Sequence, residues 1–298
     1  MMTITEYLTT LSSPHTRRAY GRDLRDFALW FRQTNGEEAT PGTITHADLQ
    51  EWRAYLIRRY RPKTVNRKLA AVRAYLAWAY ENGLSDAPPP RVRGAREQTR
   101  APKWLTRREE MRLLREAEHL MRAAERGSDA ARFRAVRNWA LVTVMLHTGL
   151  RVSEVVGLRL TDLERNARTW WLRVQGKGGK ERRVPLNARA RKALERWLHE
   201  RSRVVAASSE SDALFVGRQG GPLNPATIRR IVADLARRAG VQATPHSLRH
   251  TFAKRLLDTG VSLEKVAALL GHENLNTTRI YLEPGERDLE MAVEALAP

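Results

Sequence analysis

The sequence predicts a mainly α-helical protein of two domains: a small helical bundle first, then a larger, mostly helical domain holding one small antiparallel sheet. Three observations carry that reading. Apolar residues recur at helical spacing along most of the 298 residues. The stretch "TWWLRVQGKGGKERRVPL" reads as two β-rich runs about a Gly-rich turn, a hairpin. Between the halves, "LSDAPPPRVRGAREQTRAPK" breaks the periodicity with Pro, Gly and charge, as an interdomain linker does.

In order, "SPHTRRAYGRDLRDFALWFRQTNG" sets Tyr20, Leu24, Phe27 and Phe31 on one stripe, with Ser13 and Gly36 as its end signals. "THADLQEWRAYLIRRY" and "RPKTVNRKLAAVRAYLAWAYENG" continue the pattern, the latter from near Pro62 to Gly83, so four or five helices are expected over residues 1–88. Residues 89–103 are read as a basic, flexible strap. In the second domain, 104–298, Thr106 and Glu109 form a capping-box pattern. "RAVRNWALVTVMLHTG" reads as a buried helix ending at Gly149. After the hairpin, helices resume at "NARARKALERWLHER", "NPATIRRIVADLARRAG", "TPHSLRHTFAKRLLDTG", "SLEKVAALLG" and "NTTRIYLE".

The net charge of +20 implies a polyanionic partner, nucleic acid before others. An Arg-rich solvated surface is the alternative. The charge is unevenly spread: +4 over residues 1–90, +4 over 91–103, +16 over 104–281 and −4 over 282–298. With no cysteine there are no disulfides or thiolate metal sites. No run approaches the roughly 20 apolar residues of a membrane span, and the first residues lack a signal-peptide pattern. A cytoplasmic, nucleoid-associated protein is expected.

Several groups could carry chemistry. Arg151, in "HTGLRVSEVVGLRLTDL", follows a helix-ending glycine and can project into a cleft, with Ser153 and Glu154 as caps or orienting partners. A plain capping or surface role suits it as well. Lys177 sits at the hairpin tip, where an exposed, mobile ammonium suits a late proton donor; Lys180 competes for that role. His246 and Arg249 share a helical face at i, i+3 spacing, at a helix start where the dipole is already positive. That crowding asks for an anion. His246 and His250 are spaced for a metal, but nothing completes the shell, so no metal is expected. His272 follows another helix-ending glycine, and Tyr281 comes nine residues later on a short helix, where a tyrosine is usually core. Candidate DNA contacts are Arg67, Lys68 and Arg73 on one helix, Arg91, Arg93 and Arg96 in the linker, and Lys180. A solvated face is the alternative for each of the helix residues.

The ordered set Arg151, Lys177, His246 with Arg249, His272 and Tyr281 resembles that of the tyrosine recombinases, or phage-integrase family. So do the motifs "TGLRVSEVVGLRLTDL", "GKGGKERRVPL", "PHSLRHTFAKRLLDTG" and "LLGHENLNTTRIYLEP". The resemblance covers nearly the whole chain, the first domain looking like that family's SAM-like core-binding domain. Its compact length is most similar to Xer-type recombinases.

The resemblance implies that the anion is a scissile phosphodiester and Tyr281 the nucleophile. Arg151 and Arg249 would grip the non-bridging oxygens, Lys177 would protonate the leaving 5′ oxygen, and His272 would donate to the phosphate. His246 would either take or relay a proton or bind a phosphate oxygen. A 3′-phosphotyrosyl link conserves the bond energy, so no ATP, metal or other cofactor is expected. The implied task is site-specific recombination through a Holliday junction, in chromosome-dimer resolution. Alternatives are mobile-element integration, strand passage like that of a type IB topoisomerase, and a catalytically silent DNA-binding regulator. The implied partners are a double-stranded DNA recombination site and, in a homo- or hetero-tetramer, neighbouring protomers. In the acidic tail, 282–298, Leu289, Val293 and Leu296 recur at helical spacing. It would dock on such a neighbour or pack back on its own domain.

Overall fold

The first helix, α1 (Met2–Thr10), leads into α2 (Pro14–Asn35), which Ser13 opens by accepting the peptide N–H of Thr16. Gly36 closes α2 in the left-handed region, at φ 76°. α3 (His46–Ile57) starts on a capping box of Thr45 and Asp48, and α4 (Pro62–Glu81) starts on a proline. The computed structural model describes residues 2–96, 103–166, 169–176, 179–204, 211–272, 274–279, 282 and 293. The chain divides into two units, 1–100 and 101–298.

In the first unit the expected stripe of α2 is buried, Leu24, Phe27 and Phe31 packing with Trp52, Leu56, Leu69 and Tyr75. The ring of Trp52 stands 5.5 Å from Phe27 and 5.0 Å from Trp30. The same face of α2 also buries Asp23, which the stripe did not foretell. Lys68 answers it: its ammonium lies 3.4 Å from Asp23 and is also paired with Asp26, while Arg67 pairs with Asp23 as well. The expectation that Lys68 faces phosphate is corrected accordingly. Its side chain is only 5% exposed, and withdrawing it would leave the buried carboxylate of Asp23 to Arg67 alone. Arg73 is exposed.

Residues 91–96 are not a loose strap. Val92 joins the core of the first unit. Asn66 on α4 accepts the Ala95 N–H at 2.7 Å and donates to the Ala95 carbonyl at 3.1 Å. Arg91, Arg93 and Arg96 remain exposed along this docked segment.

In the second unit, α5 (Arg107–Ala123) begins on the expected Thr106–Glu109 capping box. α6 (Asp129–Thr148) is buried along most of its length and packs against α5, α8 (Ala188–Val204) and α10 (Pro245–Asp258). After Gly149 come α7 (Val152–Gly157) and an antiparallel sheet ordered β1 (Leu163–Arg165), β2 (Trp170–Gln175), β3 (Glu181–Leu186). β1 extends the expected hairpin to three strands. Leu172 faces Val184 across the hairpin, and alternation sends Leu172, Val174, Val184 and Leu186 into the core. α9 (Pro225–Arg238), α11 (Leu263–Leu270) and α12 (Asn276–Arg279) complete the unit. Among the described residues no helix is long and apolar enough to cross a membrane. Of the tail, all but residues 282 and 293 lie outside the described residues.

Candidate active site

The last carbonyls of a helix have no partner within it and carry the negative end of its dipole. At the end of α11 three arginines supply the partners. Arg182 Nε donates to Leu269 O at 2.8 Å. Leu270 O accepts from Arg249 Nη2 at 2.7 Å and from Arg151 Nη1 at 3.3 Å. Gly271 O accepts a long bond, 3.5 Å, from Arg151 Nη2. Gly271 itself is left-handed, φ 65°, and a Cβ there would stand 2.8 Å from Arg182 Nη1. Three cations that would repel one another are thus drawn together by one helix terminus.

A carboxylate finishes the assembly. Glu154, buried on α7, accepts the Arg151 peptide N–H at 2.7 Å and Arg151 Nη1 at 2.9 Å. Arg182 binds both of its oxygens, each at 2.9 Å, and Arg249 Nη1 lies 4.0 Å away. Burial pushes the Glu154 carboxyl up. The hydrogen bonds from Arg182, then that from the Arg151 backbone, outweigh burial and hold it below the usual carboxylate range. Arg249 is buried at 3% side-chain exposure and donates to Gly149 O at 2.6 Å; Arg151 is 41% exposed.

His272 closes the ring of contacts. Arg249 Nη2 stands 2.9 Å from its Nε2, and Thr278 Oγ1 stands 2.8 Å from its Nδ1. Burial first, then Arg249, Arg151 and Arg182, lower its pKa to about 4, with Glu154 opposing. His250 is also lowered to about 4, by burial and then by His246, Arg249 and His272.

Arg151, Glu154, Lys180, Arg182, His272 and Thr277 are among the residues that line one cleft of about 770 Å³. Lys180 is exposed on its wall. A pocket with this much positive charge and a neutral imidazole suits a phosphate group. His246 is exposed and lines a neighbouring hollow of about 590 Å³ with Thr244, Arg237 and His250. Its ring lies edge-on to His250, centroids 4.0 Å apart. Among the described residues no group of three or more His, Cys, Asp or Glu is placed to hold a metal. Lys177 and Tyr281 lie outside the described residues. Sequence reading missed Arg182 and Thr278. Arg182 left a signal: it is in phase with the core residues Val184 and Leu186 on β3.

Residues 113–287 match the sequence pattern of the phage integrase family, and residues 4–83 match that of the phage integrase N-terminal SAM-like domain. The chain belongs to the phage integrase family. It is a tyrosine-type site-specific recombinase of the Xer kind. Tyrosine recombinase XerC of Corynebacterium efficiens is 36% identical, over 96% of this chain and 86% of that protein. Tyrosine recombinase XerD of Bradyrhizobium diazoefficiens is also 36% identical, over 96% of this chain and 92% of that protein. The fold of this recombinase is shared with the XerH site-specific recombinase bound to palindromic difH substrate in a post-cleavage complex. That likeness has a TM-score of 0.75 at 23% identity and covers 93% of this chain and 79% of that one.

Proposed function

We propose that this recombinase cuts and rejoins double-stranded DNA at a specific site through a 3′-phosphotyrosyl link to Tyr281. The observation that carries the reading is the single carbonyl of Leu270, which gathers the guanidiniums of Arg151 and Arg249 while Arg249 also holds His272.

The chemistry follows from those groups. Tyr281 Oη, with a reference pKa of about 10, loses its proton as it attacks the phosphorus. His246 takes or relays that proton, or binds a phosphate oxygen. The bond from phosphorus to the 5′ oxygen breaks, and Lys177, or Lys180 on the cleft wall, gives the leaving oxygen its proton. Arg151 and Arg249 neutralise the charge that grows on the non-bridging oxygens, each such donor being worth roughly 3–4 kcal/mol. His272 donates to the same phosphate. Attack of a 5′ hydroxyl reverses the step, so the phosphodiester is restored without ATP.

Residues 1–88 act as the core-binding domain and 104–298 as the catalytic domain, with 89–103 laid along DNA. The exposed Arg73, Arg91, Arg93 and Arg96 fit phosphate contacts. Likeness to XerC and XerD supports a finer reading, chromosome-dimer resolution through a Holliday junction in a tetramer on the nucleoid. There the acidic tail docks on a neighbouring protomer.

Sequencing the DNA covalently trapped on the protein in cells tests this reading. The expected result is one recurring duplex site with protein on the 3′ side of the break. Adducts scattered without recurrence would favour topoisomerase-like action, and no adduct would favour a silent regulator.

A further inference from the structure

We propose that Arg182 is a positioning residue for strand cleavage: through Glu154 it keeps the guanidinium of Arg151 turned to the cleft. The inference rests on the proposed function and adds a residue outside the set that faces the phosphate there.

Arg182 occupies a place on β3 that alternation reserves for a core side chain, and it is only 12% exposed. Three of its donors are committed to fixed acceptors, Nη1 and Nη2 to the two oxygens of Glu154 and Nε to Leu269 O. That planar fork neutralises Glu154 while pinning it to β3 and to the end of α11. A lysine has one ammonium and cannot span the three acceptors.

Charge accounting gives the consequence. Glu154 is one buried carboxylate with Arg151, Arg182 and Arg249 around it. With Arg182 in place its charge is balanced, and it takes from Arg151 only the backbone N–H and one Nη1 bond. Among the described residues Arg151 Nη2 is then held by the long contact to Gly271 O alone. Without Arg182, Glu154 would lose two charge-assisted bonds and draw Arg151 inward as its main counter-ion, away from the scissile phosphate.

The test has two arms. In the first, the Glu154 carboxyl carbon is titrated by ¹³C NMR in the full-length wild-type protein, Arg182→Ala and Arg182→Lys, with Glu154→Gln for assignment. Melting curves show which variants fold. The expected result is a titration moved upward in Arg182→Ala and partly restored in Arg182→Lys. If the alanine variant does not fold, the lysine variant carries this arm. An unchanged titration overturns the proposal.

In the second arm, single-turnover adduct formation is followed on a nicked duplex built on the site recovered from cells. The scissile linkage is either a phosphodiester or a methylphosphonate, which lacks one charged oxygen. The phosphodiester rate should fall about 10²-fold in Arg182→Ala, with DNA affinity kept within about threefold and the lysine variant between. On the methylphosphonate most of that loss should vanish, because less charge needs a clamp. An equal loss on both linkages, or a loss confined to affinity, overturns the proposal. Absence of any adduct from the wild-type protein would instead defeat the proposed function, leaving the Glu154 titration to decide what Arg182 organises.

Discussion

Arg249 Nη2 and His272 Nε2 are 2.9 Å apart, and this contact decides the histidine's protonation. An arginine only donates, so Nε2 accepts and the ring proton sits on Nδ1, donated to Thr278 Oγ1 at 2.8 Å. Without DNA, His272 is therefore a neutral acceptor. To donate to a phosphate through Nε2 it must both leave Arg249 and carry a proton there, and an arriving phosphodiester favours both.

The tautomer is directly testable. ¹⁵N NMR at pH 7 should find an unprotonated Nε2 and a protonated Nδ1 on His272; a protonated Nε2 would contradict the assignment. Thr278, itself buried, is the acceptor of a half-buried N–H; Thr278→Val removes it, and urea unfolding should show a loss of about 1 kcal/mol.

Gly149 is held by two constraints at once. Its φ is +64°, and a Cβ there would run into Phe252 and stand 2.9 Å from Leu270 Cδ2. Gly149→Ala should destabilise the second unit by at least about 1–3 kcal/mol. Because the Gly149 carbonyl also binds Arg249, adduct formation should fall as well. A variant with an unchanged melting temperature would contradict this.

Lys68 and Arg73 on α4 should separate cleanly. Lys68→Ala leaves the buried Asp23 to Arg67 alone and should cost about 1–3 kcal/mol in urea unfolding. Arg73→Ala should leave stability within about 0.5 kcal/mol. It should instead weaken DNA binding with a salt slope shallower by about one. The reverse pattern would mean that the two side chains had been misread.

Much of this was legible in the sequence, and what was not has a common cause. Ser13, Gly36, Thr106 and Glu109 act on their own helix, so local spacing sufficed. The hairpin announced itself by two β-rich runs about a Gly-rich turn, whereas the three residues of β1 are too few to make such a run. Lys68 looked solvent-facing because Asp23, the group that buries it, lies 45 positions earlier on another helix. The resemblance named Arg151, Arg249 and His272. That they meet at the carbonyls of α11 is a tertiary fact. Arg182 stood at a core phase of β3, but a charged residue at such a phase reads as an exception until its buried partner Glu154 is seen.

Three histidines set the acid response of stability. His147, His250 and His272 are each lowered to about 4. Burial is the largest cause in all three; at His147 Arg255 and Arg189 add to it. In the unfolded chain they titrate near about 6.5. As pH falls through that value the unfolded state takes up protons first, so stability is full above about pH 7 and declines toward pH 4. The buried His147 and His250 contribute at most about 3 kcal/mol each, and the half-buried His272 less, because solvent screens it. Urea unfolding between pH 7 and 5 should show this slope, and His147→Gln should flatten part of it. Stability that rose on acidification would contradict the sign.

The nucleophile is the most direct test. Adduct formed by the wild-type protein on a nicked duplex carrying its recovered site can be digested and mapped by mass spectrometry. The modified peptide should carry its nucleotide on Tyr281, and Tyr281→Phe should bind the same duplex yet form no adduct. A mapped link on any other residue, or undiminished adduct from Tyr281→Phe, would contradict the mechanism.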